Sequence, residues 1–373
     1  MGRISKTILF EFDIADACRT YPGNNFDYHL IPFKAAIAAG ARQIMPYYSR
    51  PIGTKYDPIG FAFNKGIITD LLGEELGFKG IVVSDWGLIT DSVIAGQSLP
   101  ARAWGVEYLS ELERVKMVLD AGTDQFGGES RPELVVELVR KGELPEDRID
   151  VSVRRLLKEK FELGLFENPF VDVDEAEKIV GRADFVALGE KTQRGSFTLL
   201  TNKDNILPLK ISANTKVYIE GFNATELEGR GLQAVPTPEE ADFALLRYSA
   251  PYQSREGGFE SRYRTGSLEF NATERARQKV IYDTVPSVVD IYLDRAAAIP
   301  EVAESAAALF GSYGSSTRAF LDVIANVDGA QPLGKLPWDL PRSTAAVEES
   351  FEDLPFDTKD PVFEFGHGLS YGQ

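Results

Sequence analysis

The spacing of apolar and polar positions changes several times along the chain. Near-continuous apolar, β-branched runs of four to eight residues predict buried strands, and apolar positions three and four apart predict helices. "ARQIMPYYS" (41–49) reads as a short strand ending in polar aromatics, and "NKGIITDLLGEELG" (64–77) as a helix closed by glycine. "GIVVSDWG" (80–87) is the next strand, "LSELERVKMVLDAG" (109–122) a helix, and "AGTDQFGG" (121–128) a brief strand and turn. Residues 132–166 hold two helices, the second with Arg154, Arg155, Lys158 and Lys160 on its wet side. Alternating strands and helices of this kind predict a parallel sheet covered by helices.

The pattern then lapses. "ENPFVDVDEAEK" (167–178) is rich in proline and acid, has no amphipathic period and reads as a linker. Beyond it, apolar strands are expected at 195–202, 216–222, 241–249, 287–294 and 307–314, with helical patterns between several of them. This second region is again α/β, an open sheet between helices. The polar, arginine-rich stretch 254–270 reads as a long exposed loop, and long loops in compact domains often carry function. The domain expectation is therefore 1–166, a linker at 167–194, and 195–373.

Composition narrows the possibilities. With 373 residues the chain can build two ordinary cores, and 43% hydrophobic with 26% charged residues is globular. A net charge of −17 argues against nucleic acid and anionic membranes as partners. The single cysteine, Cys18, excludes an internal disulfide. Glu11 and Asp13 interrupt the first apolar run, and no apolar stretch is long enough to span a bilayer, so a cytoplasmic location is expected. The two histidines, His29 and His367, are too few for a metal site, and no nucleotide or cofactor fingerprint appears, so neither metal nor cofactor is expected. Asn223-Ala224-Thr225 and Asn271-Ala272-Thr273 fit a glycosylation pattern, which is read as chance.

Candidate chemistry gathers at strand tips, where ligands bind in parallel α/β sheets. Asp85 and Trp86 end one strand, Tyr47 and Tyr48 follow another, and Thr123 and Asp124 are placed at a third tip. Carboxylates beside aromatic rings suit a sugar, whose C–H faces pack on rings while its hydroxyls bind acids. An Asp after a strand is also a common turn or helix-capping residue, and the aromatics could equally roof a core.

"GFKGIVVSDWG" resembles the nucleophile motif of glycoside hydrolase family 3, the β-glucosidase and β-xylosidase family. "YPGNNFDYHLIPFKAAIAAGARQIMPYYS" and "AGTDQFGG" are similar to the family's sixth and eighth barrel strands. "VRRLLKEKFELGLFENPFVD", "LLTNKDNILPL", "GKLPWDLPRS" and "FEFGHGLSYG" resemble its later segments, in the family's order. The resemblance implies a partial (β/α)8 barrel holding only the carboxy-terminal strands, followed by an α/β sandwich domain. It implies a retaining exo-β-glycosidase acting on a β-glycoside. Asp85 would be the nucleophile, and a glutamate after "RYSAPY" the acid: Glu256 or Glu260, with Glu269 a distant third. The two carboxyl groups should stand roughly 5–5.5 Å apart. Tyr48, Trp86 and Met45 would contact the sugar.

The departures lie toward the amino terminus. Where the family has a Lys-His pair, this chain reads "ISKTILFEFDIADACRT", and the early Asp and Arg that grip sugar hydroxyls are not found. Each lost charged hydrogen bond would cost on the order of 1.5–3 kcal/mol. Half a barrel would also expose two sheet edges and an apolar interior. Three readings follow: an active β-glucosidase, a catalytically impaired remnant, or a binding and assembly subunit. A homo-oligomer or a complementing chain is expected to cover the open side.

Overall fold

The computed structural model describes residues 21–46, 48–94, 96–254, 261 and 263–372. Cys18, Tyr47, Glu256, Glu260 and the expected strand near Ile8 lie outside the described residues.

The first region begins with helix α1 (Phe26–Ala38), which buries no side chain, and the two-residue strand β1 (Gln43–Ile44). A π-helical segment, Gly66–Glu75, buries Ile67, Ile68, Leu71 and Leu72. Strand β2 (Ile81–Trp86) follows, then a hairpin of β3 (Ser92–Ile94) and β4 (Gln97–Leu99). Helix α2 (Glu111–Ala121) starts at a capping box formed by Ser110 and Glu113 and stops at Gly122, whose φ of 109° is left-handed. Strand β5 (Gln125–Gly127) and helices α3 (Pro132–Arg140) and α4 (Glu146–Glu162) complete the region. The order β1-β2-β5 is a parallel sheet with β2 in the centre. The β-branched run of "GIVVS" suits that half-buried position.

Helices α5 (Val173–Ile179) and α6 (Ala183–Ser196) bury no side chain. The stretch read as a linker without period is thus helical from Val173, capped by the Asp172 side chain.

The second region holds a six-stranded mixed sheet. Its strands are β6 (Thr198–Asn202), β7 (Thr215–Glu220), β8 (Leu232–Val235), β9 (Phe243–Ser249), β12 (Ser287–Tyr292) and β13 (Ala308–Ser312), in the order β6-β13-β12-β9-β7-β8. Only β6 runs antiparallel. The short pair β10 (Gln253–Ser254) and β11 (Arg264–Thr265) flanks the undescribed stretch. Helices α7 (Ala272–Thr284), α8 (Pro300–Ser305), α9 (Thr317–Ile324) and α10 (Thr344–Glu348) complete the region. Strand side chains alternate between faces. Phe243 and Leu245 enter one core with Phe197, Phe310 and Phe320, while Ala244 and Leu246 enter the other with Val289, Ile291 and Leu309. Both faces are covered, which is why these strands read as unbroken apolar runs. The α/β class with an open sheet between helices agrees with the sequence.

The two regions touch through the carboxy-terminal segment. Asp353, 2% exposed, accepts the backbone N–H groups of Gly23 (2.6 Å) and Asn25 (2.8 Å). Its carbonyl accepts from the Asn25 side chain and from His29 Nε2 at 3.0 Å, so that nitrogen carries the proton.

Candidate functional site

The tip of β2 is built by polar bonds on both sides. Ser84 is fully buried, accepts from Gly127 N–H (2.9 Å) and donates to the Asp85 carbonyl (2.9 Å), which ties β2 to β5. Asp85 is half-buried, and its Oδ1 accepts the Trp86 N–H at 2.7 Å. Trp86 is 58% exposed, and its indole lies against the backbone of Gly127 and Gly128. A Cβ on either glycine would come within 2.4 or 2.6 Å of that ring, so the double glycine of "QFGGES" leaves the space it occupies. Tyr48 donates to the Trp86 carbonyl at 2.7 Å and meets Trp104 at 5.8 Å between centroids. Glu129, just past β5, accepts from Ile89 N–H, Thr90 N–H and the Thr90 hydroxyl, holding the loop that follows Trp86.

Asp85 also lines a cavity of about 630 Å³ between α1, the π-helical segment and the end of β1. Its walls are mainly apolar and aromatic, including Phe26, Tyr28, His29, Met45 and Phe61. That volume is in the range of small-molecule sites, with a single carboxylate set into an apolar surround.

The structure brings Asp85, Trp86 and Tyr48 together and sets Met45 in the wall of the same cavity. Glu269 is engaged elsewhere, accepting the Thr344 N–H at the start of α10. Sequence reasoning missed Arg102, whose guanidinium lies 5.1 Å from the Tyr48 ring centroid and donates to the Trp86 carbonyl at 3.2 Å. It also missed Glu129.

Two expectations are corrected. Asp124 is not at a ligand-facing tip: it precedes β5, at the end of the sheet opposite Asp85. Its buried carboxylate accepts from Val82 N–H (3.0 Å), Ser152 (2.7 Å) and Arg155 (2.9 Å). Thr123 beside it is fully buried. Arg155 therefore turns inward from α4 and is not on the wet side, because a buried carboxylate needs a paired cation. His367 is a structural group: its Nε2–H donates to the Leu200 carbonyl at 2.8 Å and its ring stacks on Phe363. Among the described residues no cluster of three or more His, Cys, Asp or Glu could hold a metal ion, and no helix is long and apolar enough to cross a membrane.

Residues 21–158 match the glycosyl hydrolase family 3 N terminal domain. Beta-glucosidase C of Emericella nidulans is 64% identical over 354 residues, covering 95% of this chain and 57% of that protein. A periplasmic beta-glucosidase/beta-xylosidase of Dickeya chrysanthemi is 38% identical over 366 residues, covering 93% of this chain and 55% of that one. The fold is similar to the crystal structure of a beta-glucosidase from Listeria innocua in complex with glucose, with a TM-score of 0.72 at 22% identity over 91% of this chain and 53% of that one. A β-glucosidase from Erythrobacter marinus superposes with a TM-score of 0.74, again at 22% identity, over 92% of this chain and 54% of that one. The chain thus spans just over half the length of these relatives. The order of its motifs, the matched residues 21–158 and these identities make the chain a member of glycoside hydrolase family 3.

Proposed function

We propose that this chain carries the nucleophile half of a retaining exo-β-glycosidase of the β-glucosidase type. The observation that carries the reading is Asp85, held at the tip of a central parallel strand beside the exposed indole of Trp86 and lining a cavity of about 630 Å³. In this reading Asp85 attacks the anomeric carbon and forms a glycosyl-enzyme. A second carboxyl group first protonates the leaving oxygen and then takes a proton from the water that releases the sugar. Glu256 and Glu260 are the proposed sources of that group. Trp86 would cover a sugar face, and Tyr48 and Met45 would border it.

The same reading takes residues 1–166 as part of a (β/α)8 barrel, 167–194 as a connecting segment and 195–373 as an α/β sandwich domain. Helices α1, α5 and α6, which hold no fully buried residue, support a second element of the proposal. Their uncovered sides would be met by another copy of the chain or by a complementing polypeptide.

The test is hydrolysis of p-nitrophenyl β-glucoside by the purified chain and by Asp85→Asn. Loss of a covalent nucleophile should lower turnover by about 10³-fold or more. Wild-type turnover that Asp85→Asn leaves intact would remove Asp85 from the mechanism. No turnover above a control preparation would favour a binding or assembly role for the chain alone.

A further inference from the structure

We propose that Arg102 is a positioning residue for the Asp85–Trp86 tip. The inference rests on the glycosidase reading above and extends it to a side chain outside the motifs. Residues 88–101 leave the sheet as an excursion carrying the β3–β4 hairpin, and the excursion is pinched shut at its neck. Its main-chain closure is the bond from Arg102 N–H to the Gly87 carbonyl, at 2.8 Å. Ala101 N–H adds a bond to Asp91 Oδ1 at 2.8 Å. Any residue at position 102 would supply that backbone bond, so the side chain must be accounted for separately.

The guanidinium makes two further contacts. One donor reaches the Trp86 carbonyl at 3.2 Å, and the plane sits 5.1 Å from the centroid of Tyr48. Tyr48 in turn donates to the same carbonyl at 2.7 Å. Tyr48, Arg102 and the Trp86 peptide therefore form a closed triangle immediately after Asp85. Gly87 makes this possible: its φ of 68° favours glycine, and a Cβ there would stand 3.2 Å from the Arg102 guanidinium. Trp86 carbonyl already has a donor in Tyr48, so satisfying that oxygen does not require Arg102. What arginine adds is a rigid, planar cation that both stacks and donates, which lysine cannot reproduce. Arg102 is partly exposed at the tip that holds Asp85.

Fixing the Trp86 carbonyl fixes the Trp86–Gly87 peptide, which anchors the Trp86 backbone from its carboxyl side. That anchor holds the indole across Gly127 and Gly128 and restrains the adjoining Asp85–Trp86 peptide, whose N–H Asp85 Oδ1 accepts. Arg102 thus acts on the reaction through Trp86 and Tyr48.

The test compares Arg102→Met, Arg102→Gln and Arg102→Lys with wild type in the full chain. The first readout is the ¹⁹F spectrum of protein labelled with 5-fluorotryptophan, whose three tryptophan lines are assigned with Trp86→Phe and Trp338→Phe. Arg102→Met and Arg102→Gln should shift and broaden the Trp86 line while leaving that of Trp338 and the unfolding midpoint in place. Arg102→Lys should fall between. The second readout is kcat and KM for p-nitrophenyl β-glucoside, where kcat should fall by about 10²-fold with KM changing far less, the signature of a displaced reacting group. An unmoved Trp86 line in both neutral variants overturns the proposal, as does an unchanged kcat in a chain that turns over. A chain without turnover counts against the glycosidase reading alone, and the ¹⁹F line then decides for Arg102.

Discussion

Asp85 lies in β2 and Asp124 just before β5 of the same sheet, yet their surroundings differ. Asp85 is half-exposed at the carboxyl end of β2, while Asp124 is 7% exposed at the start of β5 and paired with Arg155. Asp124→Ala would leave that guanidinium without its carboxylate and the Val82 N–H without an acceptor. Breaking a buried pair by removing one partner costs about 3–5 kcal/mol. Urea unfolding followed by circular dichroism should show that loss, and a cost below about 1 kcal/mol would mean the pair is unimportant. Glu220, at the end of β7, is a second carboxylate with a stability role. Burial tends to raise its pKa, but bonds from Arg277, Tyr248 and Tyr218 outweigh this and hold it below the ordinary 4.5. A depressed folded pKa gives stability that is present above the unfolded value and lost as pH falls through the folded one. The stability difference between wild type and Glu220→Gln should therefore be constant above about pH 5 and shrink below 4.5. A difference that grows on acidification would contradict the network. The sequence made Asp85 and Trp86 legible because a β-branched run delivers them to a strand end. It could not separate Asp124 from Asp85, since which end of a strand a carboxylate occupies depends on where the strand starts. Arg102 was invisible for another reason: its partners are 16 and 54 positions away, at Trp86 and Tyr48.

Elements with both faces buried were the readable ones. The runs that became β9, β12 and β13 are apolar at nearly every position because the sheet has a core on each side. The chain around β8 (Leu232–Val235) was missed: at the sheet edge its burial is only partial and its sequence, LQAV, is short and mixed. The hairpins β3–β4 and β10–β11 were missed for the same reason, having two or three residues per strand. Local capping explains another pattern. Asn223 and Asn271, which mimic glycosylation sites, accept N–H groups at helix starts, from Thr225 and Glu274. At the β5 turn, glycine is needed for what it lacks. Gly127→Ala would drive a methyl carbon to 2.4 Å from both the Ser84 carbonyl and the Trp86 ring. Backbone cannot yield easily there, so the expected outcome is a displaced indole and a loss of about 1–3 kcal/mol, as for an overpacked site. Tryptophan fluorescence and urea titration together would report it, and an unperturbed spectrum with an unchanged midpoint would show that the ring does not rest there.

At the scale of the whole molecule, a strong clasp and a bare flank stand side by side. The Asp353 clasp joins the start of the first region to the end of the second with four hydrogen bonds. Asp353→Ala would strand two backbone donors, and each buried unsatisfied group costs about 1–3 kcal/mol. The clasp is expected to make the two regions unfold together in wild type. In the variant, proteolysis should release the first region before the second, and identical digestion patterns would count against that coupling. The flank is different. Helices α1, α5 and α6 hold no fully buried residue, and Phe170, Val171 and Val180 are about 80% exposed. Among the described residues, strands β1 and β5 also leave their outer edges unpaired. Exposed apolar faces of this extent mark interaction surfaces or aggregation sites, and open parallel edges add unpaired N–H and C=O groups. The net charge of −17 opposes non-specific clumping, so association should be driven by the apolar faces and strengthen with salt, which screens the repulsion. Static light scattering on the purified chain should give a mass above 41.2 kDa that rises with ionic strength. Replacing Phe170 and Val171 by serine should lower it, because it removes apolar surface without touching either core. A clean monomer mass even at high salt would mean that these faces stay uncovered in solution.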